Sequence, residues 1–179
     1  MSLTNQDTND SRIASGYQRD GFFLPYDVVT ADQAEQIRLD LEAAEAELGA
    51  TIVGLDDIYD LDVDIYAPCA LGATVNDNTI DRIKASIIAG CANNQLAEAR
   101  HDQLLRDKGI LYAPDYVINA GGIINVSFEK DYDKTKATAK VEEIYATLLD
   151  IFARADTQQK PTGIIADQMA REIIARGGK

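Results

Sequence analysis

Three short runs in the second half of the chain constrain its architecture more than any other feature: Asp64-Ile-Tyr-Ala-Pro-Cys-Ala-Leu-Gly72, Ile88-Ala-Gly-Cys-Ala-Asn-Asn-Gln-Leu96 and Tyr112-Ala-Pro-Asp-Tyr-Val-Ile-Asn-Ala-Gly-Gly-Ile-Ile-Asn-Val126. Each carries a short β-type stretch that breaks off at small residues, Asn or Gly, the way strands of an open parallel sheet deliver backbone to a ligand crevice at their carboxyl ends. The spacing predicts strands at residues 50–53, 63–67, 86–89 and 110–112. Between them it predicts a helix over about 78–85 and another over 94–106, the second stopped by Gly109. Strands alternating with helices make this an α/β chain with a parallel sheet.

The flanks are helical. Ala34, Ile37, Leu41, Ala44 and Leu48 recur at helical spacing, with Thr30 as an N-cap and Gly49 as the stop. Beyond the sheet, Ala137, Val141, Ile144, Tyr145, Leu148, Phe152 and Ala155 form a long apolar stripe. Pro161 and Thr162 then punctuate before a last helix carrying Ile165, Met169 and Ile173. Three regions result: an N-terminal extension with one helix (1–47), a sheet domain (48–126) and a C-terminal helical segment (127–179). Residues 1–15 are polar without period and read as a flexible lead-in.

The motifs carry specific chemistry. Pro68 cannot donate to a ladder and restricts Ala67, so the first run must turn, leaving Cys69, Ala70 and Leu71 as the lip of the sheet. In the second run one of Asn93 and Asn94 is explained as a helix cap; an amide also offers donor and acceptor to a ligand. In the third, Asn119 precedes Gly121 and Gly122, two residues able to take positive φ and to let a ligand approach the main chain. Ile123 and Val126 follow, as core or as an aliphatic pocket wall.

The balance of 30 acidic against 17 basic side chains, a formal charge of −13, repels phosphate backbones and anionic bilayers, so neither nucleic acid nor a membrane is expected as a partner. No apolar run approaches the roughly 20 residues of a membrane span, and the polar opening lacks the core of a secretory signal; a cytoplasmic location is the expectation. Cys69 and Cys91 are too few for a disulfide framework and read as reduced thiols. His101, the only histidine, falls within a helix as a surface or half-buried residue. The acidic run Asp56, Asp57, Asp60, Asp62 and Asp64 lacks the Gly and Glu of a calcium loop and reads as a solvated edge, so no metal site is expected.

From about Leu48 to Val126 the three motifs resemble the distal part of the NAD-binding domain of the glutamate, leucine, phenylalanine and valine dehydrogenase family, nearest its leucine-oxidising members, and the likeness weakens to the C-terminus. The resemblance implies a partial Rossmann-like sheet, an incomplete doubly wound domain with two C-terminal helices. It assigns Cys69, Ala70, Leu71, Asn94 and Asn119 to the nicotinamide side of an NAD site, and Asn94, Ile123 and Val126 to the substrate pocket. The family reaction is oxidative deamination of an aliphatic L-amino acid to its 2-oxo acid.

No G-x-G-x-x-G fingerprint occurs in the sequence, and the family's glycine-rich lysine segment is missing, so no catalytic residue is assigned and negligible activity alone is expected. Residues 15–47 resemble, loosely, the opening of phytanoyl-CoA-dioxygenase-type proteins. A 2-oxoglutarate and iron oxygenase needs two His on iron and this chain has one. Removing the family's first strand leaves residues 63–67 as an open edge, which residues 22–29 or a second copy would cover; a homo-oligomer is therefore expected, and a non-catalytic self-associating scaffold is the alternative function.

Overall fold

The structure is a computed structural model that describes residues 31–177. The chain divides into two compact units, one ending at Val53 and the other running from Gly54. Thr30, expected as a cap, and residues 22–29, expected to cover the sheet edge, lie outside the described residues.

In the first unit a single helix, α1 (Ala31–Leu48), occupies the span expected. Ion pairs from Arg38 to Glu35 and to Glu42, one turn apart, support its exposed face. Gly49 closes it with φ +65°, its N–H donating to the Glu45 carbonyl. Residues 50–53 form no strand.

The second unit is built on a three-stranded parallel sheet in the order β1 (Ile65–Tyr66), β2 (Ile87–Ile88), β3 (Leu111–Tyr112). Ile65 pairs with Ile87 and Tyr66 with Ile88; Ile87 pairs in turn with Leu111 and Ile88 with Tyr112. The strands are shorter than the sequence pattern, and their alternation is plain: Tyr66, Ile88 and Tyr112 point into the core while Ile65 and Leu111 stay exposed. On the buried face they meet Val75, Ile80, Ile83 and Ala85, together with Leu105 from α2 (Arg100–Asp107).

Two expected helices differ. Residues 78–82 form turns and 83–85 no regular element, because Asn76 and Thr79 satisfy the backbone from their side chains. Asn78 N–H donates to Asn76 Oδ1 at 2.9 Å, Asn76 N–H to Thr79 Oγ1 at 3.0 Å, and the Thr79 hydroxyl to the Thr74 carbonyl at 2.6 Å. The second helix begins at Arg100 instead of Asn94, since residues 95–97 are spent in extended pairing with Val75: Val75 N–H donates to Gln95 O, and Ala97 N–H to Val75 O. Neither Asn93 nor Asn94 therefore caps a helix.

After β3 come α3 (Asp115–Ile118), α4 (Gly121–Ser127), the long α5 (Lys134–Gln158) and α6 (Thr162–Ala175). Asp133 caps α5 by accepting from Lys136 N–H at 3.1 Å. Ile151 and Ala155 of α5 pack against Ile165 and Ala166 of α6, with Val117 of α3 at their side. The Thr162 hydroxyl donates to the Tyr112 carbonyl at 2.7 Å and fastens α6 to the end of β3. An α/β fold with a parallel sheet and two closing helices is thus present.

Candidate functional site

The carboxyl ends of all three strands converge, and main-chain groups join them. Ala92 N–H donates to the Pro68 carbonyl at 2.9 Å, tying the loop after β2 to the loop after β1. Ala73 N–H donates to the Asn94 carbonyl at 2.7 Å, a second tie between the same segments. Asn119, at the end of α3, closes the third side: its Nδ2 donates to Asn93 Oδ1 at 2.5 Å and to the Cys91 carbonyl at 3.3 Å.

This proximity demands residues without side chains. A Cβ placed on Gly90 would lie 2.1 Å from the Pro68 carbonyl oxygen, and one on Gly72 would lie 2.6 Å from the Asn93 carbonyl oxygen. Asn94 supplies the remaining turn with φ +53°, a left-handed conformation that Asn adopts more readily than most residues.

Beneath the rim sits Gln95, fully buried. Its Nε2 donates to the Gly90 carbonyl at 2.7 Å and to the Ala92 carbonyl at 3.0 Å, while its main-chain N–H donates to Asp115 Oδ2 at 3.1 Å. Gln95 Oε1 has no hydrogen-bond partner among the described residues. Asp115 is itself buried; its Oδ1 accepts from Tyr116 N–H at 2.9 Å and its own N–H donates to the Tyr112 hydroxyl at 3.2 Å. Burial pushes the Tyr112 phenol well above its ordinary range.

The candidate residues fall into groups. Cys69, Ala70 and Leu71 form an exposed lip, and the Cys91 thiol lies against that of Cys69, a contact that raises Cys91 above the usual thiol range. Asn119 is bonded to Asn93, the neighbour of the residue that the sequence favoured. Asn94 instead lines a cleft of about 260 Å³ with Asp102, Asp115, Tyr116 and Asp167. Ile123 is 70% exposed and Val126 56%, so both lie on the exposed side of α4, outside the core. Gly121 and Gly122 are the first two residues of α4 and have no positive φ.

The cleft is closed on one side by the start of α6. Gly163 N–H donates to Asp102 Oδ2 at 2.9 Å, and the Tyr116 hydroxyl donates to Asp167 Oδ1 at 3.0 Å. Burial raises the Asp102 carboxyl above the ordinary carboxylate range, and raises the Tyr116 phenol too. Glu98, Asp102, Asp115 and Asp167 line this cleft and, among the described residues, no Lys, Arg or His does, which suits it poorly to a pyrophosphate.

One other expectation changes. His101 is buried at 1% exposure, not at the surface: its Nδ1 accepts from Glu98 N–H at 3.0 Å and its Nε2 faces Asp77 Oδ1 at 3.0 Å, so it fastens the start of α2. In the acidic run, Asp56 and Asp60 clamp Arg82 at 3.0 and 2.8 Å, and its guanidinium stacks over the Tyr59 ring. Among the described residues no group of three or more His, Cys, Asp or Glu is placed to hold a metal, and no helix is long and apolar enough to cross a membrane. Gln95 and Asp115, which organise the rim from below, were missed in the sequence. Gln95 fell inside the helix expected over 94–106, and only its burial shows the role.

Residues 17–163 match the family model described as Glutamate/Leucine/Phenylalanine/Valine dehydrogenase, a range that takes in most of the stretch likened above to another family. Leucine dehydrogenase of Thermoactinomyces intermedius is 52% identical over 134 residues, covering 74% of this chain and 37% of the relative. L-tryptophan dehydrogenase of Nostoc punctiforme is 53% identical over 135 residues, covering 74% and 38%. The crystal structure of L-tryptophan dehydrogenase from Nostoc punctiforme superposes with a TM-score of 0.74 at 51% identity, over 77% of this chain and 42% of that one. The chain thus spans well under half the length of these relatives.

Proposed function

Since the chain belongs to the glutamate, leucine, phenylalanine and valine dehydrogenase family, we propose that its three strand ends form the nicotinamide-side wall of an NAD-dependent amino-acid dehydrogenase. The reaction is oxidative deamination of an aliphatic L-amino acid to the 2-oxo acid, in which bound NAD accepts the hydride. One observation carries the reading: the exposed Cys69-Ala70-Leu71 lip, Asn94 and Asn119 all lie on or beside a single rim held by Ala92 to Pro68 and Asn119 to Asn93 bonds. A flat ring fits against such small residues, and the buried Gln95 and Asp115 keep the rim rigid without reaching the ligand.

The cleft lined with carboxylates offers no grip for the cofactor's phosphates, so binding by these residues alone is weak, with Kd on the order of millimolar. Proton-transfer groups of the family's kind are not supplied here, and turnover by this stretch alone is negligible. Ile123 and Val126, aliphatic and exposed on α4, face outward to complete a branched side-chain pocket. Leucine and tryptophan enzymes match about equally, so the preference for an aliphatic substrate rests on these two positions.

The test is an NMR titration of the labelled chain with NAD and with nicotinamide mononucleotide. Amide shifts confined to residues 69–72, 91–95 and 119–122 support the reading; their absence at saturating ligand favours a non-catalytic scaffold. Steady NADH formation from leucine by the purified chain would overturn the claim of negligible turnover. A homo-oligomer belongs to the same reading, because parallel sheets are ordinarily covered on both faces and Ile65 and Leu111 are exposed. A single monomeric mass by light scattering would remove that part.

A further inference from the structure

The pairing of β1 with β2, Ile65 opposite Ile87 and Tyr66 opposite Ile88, can be followed past the last ladder residues. Carried three residues further, that register would set Cys69 opposite Cys91; the ladder slips by one residue at Pro68, whose carbonyl accepts from Ala92 N–H where the unbroken pattern calls for Cys91 N–H, so that Cys91 stays beside the end of β1. The main chains stay in contact there. Ala92 N–H donates to the Pro68 carbonyl at 2.9 Å, and a Cβ on Gly90 would collide with Pro68. Neighbouring strands lie about 4.8 Å apart, inside the window of about 4.4–6.8 Å between Cα atoms that a disulfide tolerates. Both cysteines are exposed, and the Cys69 side chain beside Cys91 holds its thiol above the usual range.

We propose that Cys69 and Cys91 form a reversible oxidation site, a dithiol that a low-molecular-mass disulfide of the glutathione class converts into an intramolecular disulfide across the ends of β1 and β2. One cysteine, as thiolate, attacks a sulfur of the oxidised tripeptide, forming a mixed disulfide and expelling one tripeptide thiolate. The second cysteine loses its proton and attacks the protein-side sulfur, expelling the other. In balance, the two cysteines give up two protons and two electrons, and one reagent disulfide becomes two thiols. Access favours the exchange, since neither sulfur is covered, and Gly90 lets the loops approach without a side chain between them.

The bond staples the lip carrying Ala70 and Leu71 to the loop carrying Asn93 and Asn94. Its effect on a nicotinamide depends on the function proposed above, but the oxidation itself does not. The experiment incubates the reduced chain with oxidised glutathione, then counts thiols in denaturant and measures the intact mass. The expected result is loss of both thiols together, a mass lower by two hydrogen atoms with no retained tripeptide, a peptide map joining residues 69 and 91, and full reversal by dithiothreitol. Cys91→Ser and Cys69→Ser should each instead retain one glutathione. Stable glutathione on both cysteines of the unmodified chain, two unreacted thiols, or linkage only between separate chains would each overturn the proposal.

Discussion

Gly90→Ala is the substitution that most directly tests how the rim is built. The new methyl would sit 2.1 Å from the Pro68 carbonyl oxygen, 2.5 Å from its nitrogen and 2.6 Å from its Cδ. The first two are main-chain atoms that cannot rotate aside. Ordinary contact is reached only if the loops after β1 and β2 part by more than about 1 Å, a displacement of the kind that costs about 1–3 kcal/mol in a packed interior. That movement also breaks the Ala92 to Pro68 bond and disturbs the Gln95 to Gly90 bond, at about 1 kcal/mol each. The sum is about 3–5 kcal/mol, much of the 5–15 kcal/mol that a domain has available. Urea unfolding followed by circular dichroism would read it as a large fall in midpoint at unchanged slope. Gly122→Ala is the matched control: nothing lies within 4 Å of its Cβ, and its helical backbone should make Ala better by about 0.5 kcal/mol. A Gly90→Ala chain within about 1 kcal/mol of the parent would refute the close approach. A Gly122→Ala chain destabilised by as much would refute the helical assignment.

Thr162→Val removes the buried donor to the Tyr112 carbonyl, and should cost about 1–3 kcal/mol in chemical denaturation, because the carbonyl keeps its burial and loses its partner. His101→Ala should cost about 2–4 kcal/mol by the same assay, from a cavity and from the orphaned Glu98 N–H. Burial raises Asp102 in the folded state, so across the interval from its unfolded value near 3.8 up to the folded one the unfolded chain binds fewer protons and stability falls as pH rises. Asp102→Asn keeps an acceptor for Gly163 N–H and loses the charge. Its unfolding free energy should be flatter than the parent's as pH rises above about 4, and an unchanged slope would assign the pH dependence elsewhere. Arg82→Ala should lower stability by an amount that shrinks with added salt, since its Asp56 and Asp60 partners are exposed.

What the sequence revealed and what it hid divide along a physical line. Long-period patterns were legible: α1 and the two closing helices appear where their apolar spacing and the Gly49 and Pro161 punctuation put them. The parallel sheet was legible in outline because β-type runs alternated with other segments, although the run at 50–53 forms no strand. Residues 78–85 and 94–99 misled, since helical spacing there was outweighed by hydrogen bonds that no pattern displays. Asn76 and Thr79 close their own turns, and Gln95 to Ala97 pair with Val75. His101 misled for a related reason. A polar residue on a short helix looks exposed until its two nitrogens are seen to be engaged by Glu98 and Asp77. The three motifs were legible as strand ends that meet, but the buried roles of Gln95 and Asp115 were invisible without the structure.

The small residues at the strand ends admit two explanations, room for a ligand or room for one another, and the geometry separates them position by position. At Gly72 and Gly90 the neighbour is already present: the Asn93 and Pro68 carbonyls occupy the space a side chain would take. Those glycines are required by the fold whether or not a cofactor binds. Ala70 and Leu71 are different, being exposed and outside both core clusters, so the chain itself has no use for their particular size. Enlarging Ala70 to Leu should therefore leave the unfolding midpoint where it is while abolishing the amide shifts caused by nicotinamide mononucleotide. If the midpoint fell instead, the lip would be packing surface, and its composition would carry no information about a ligand.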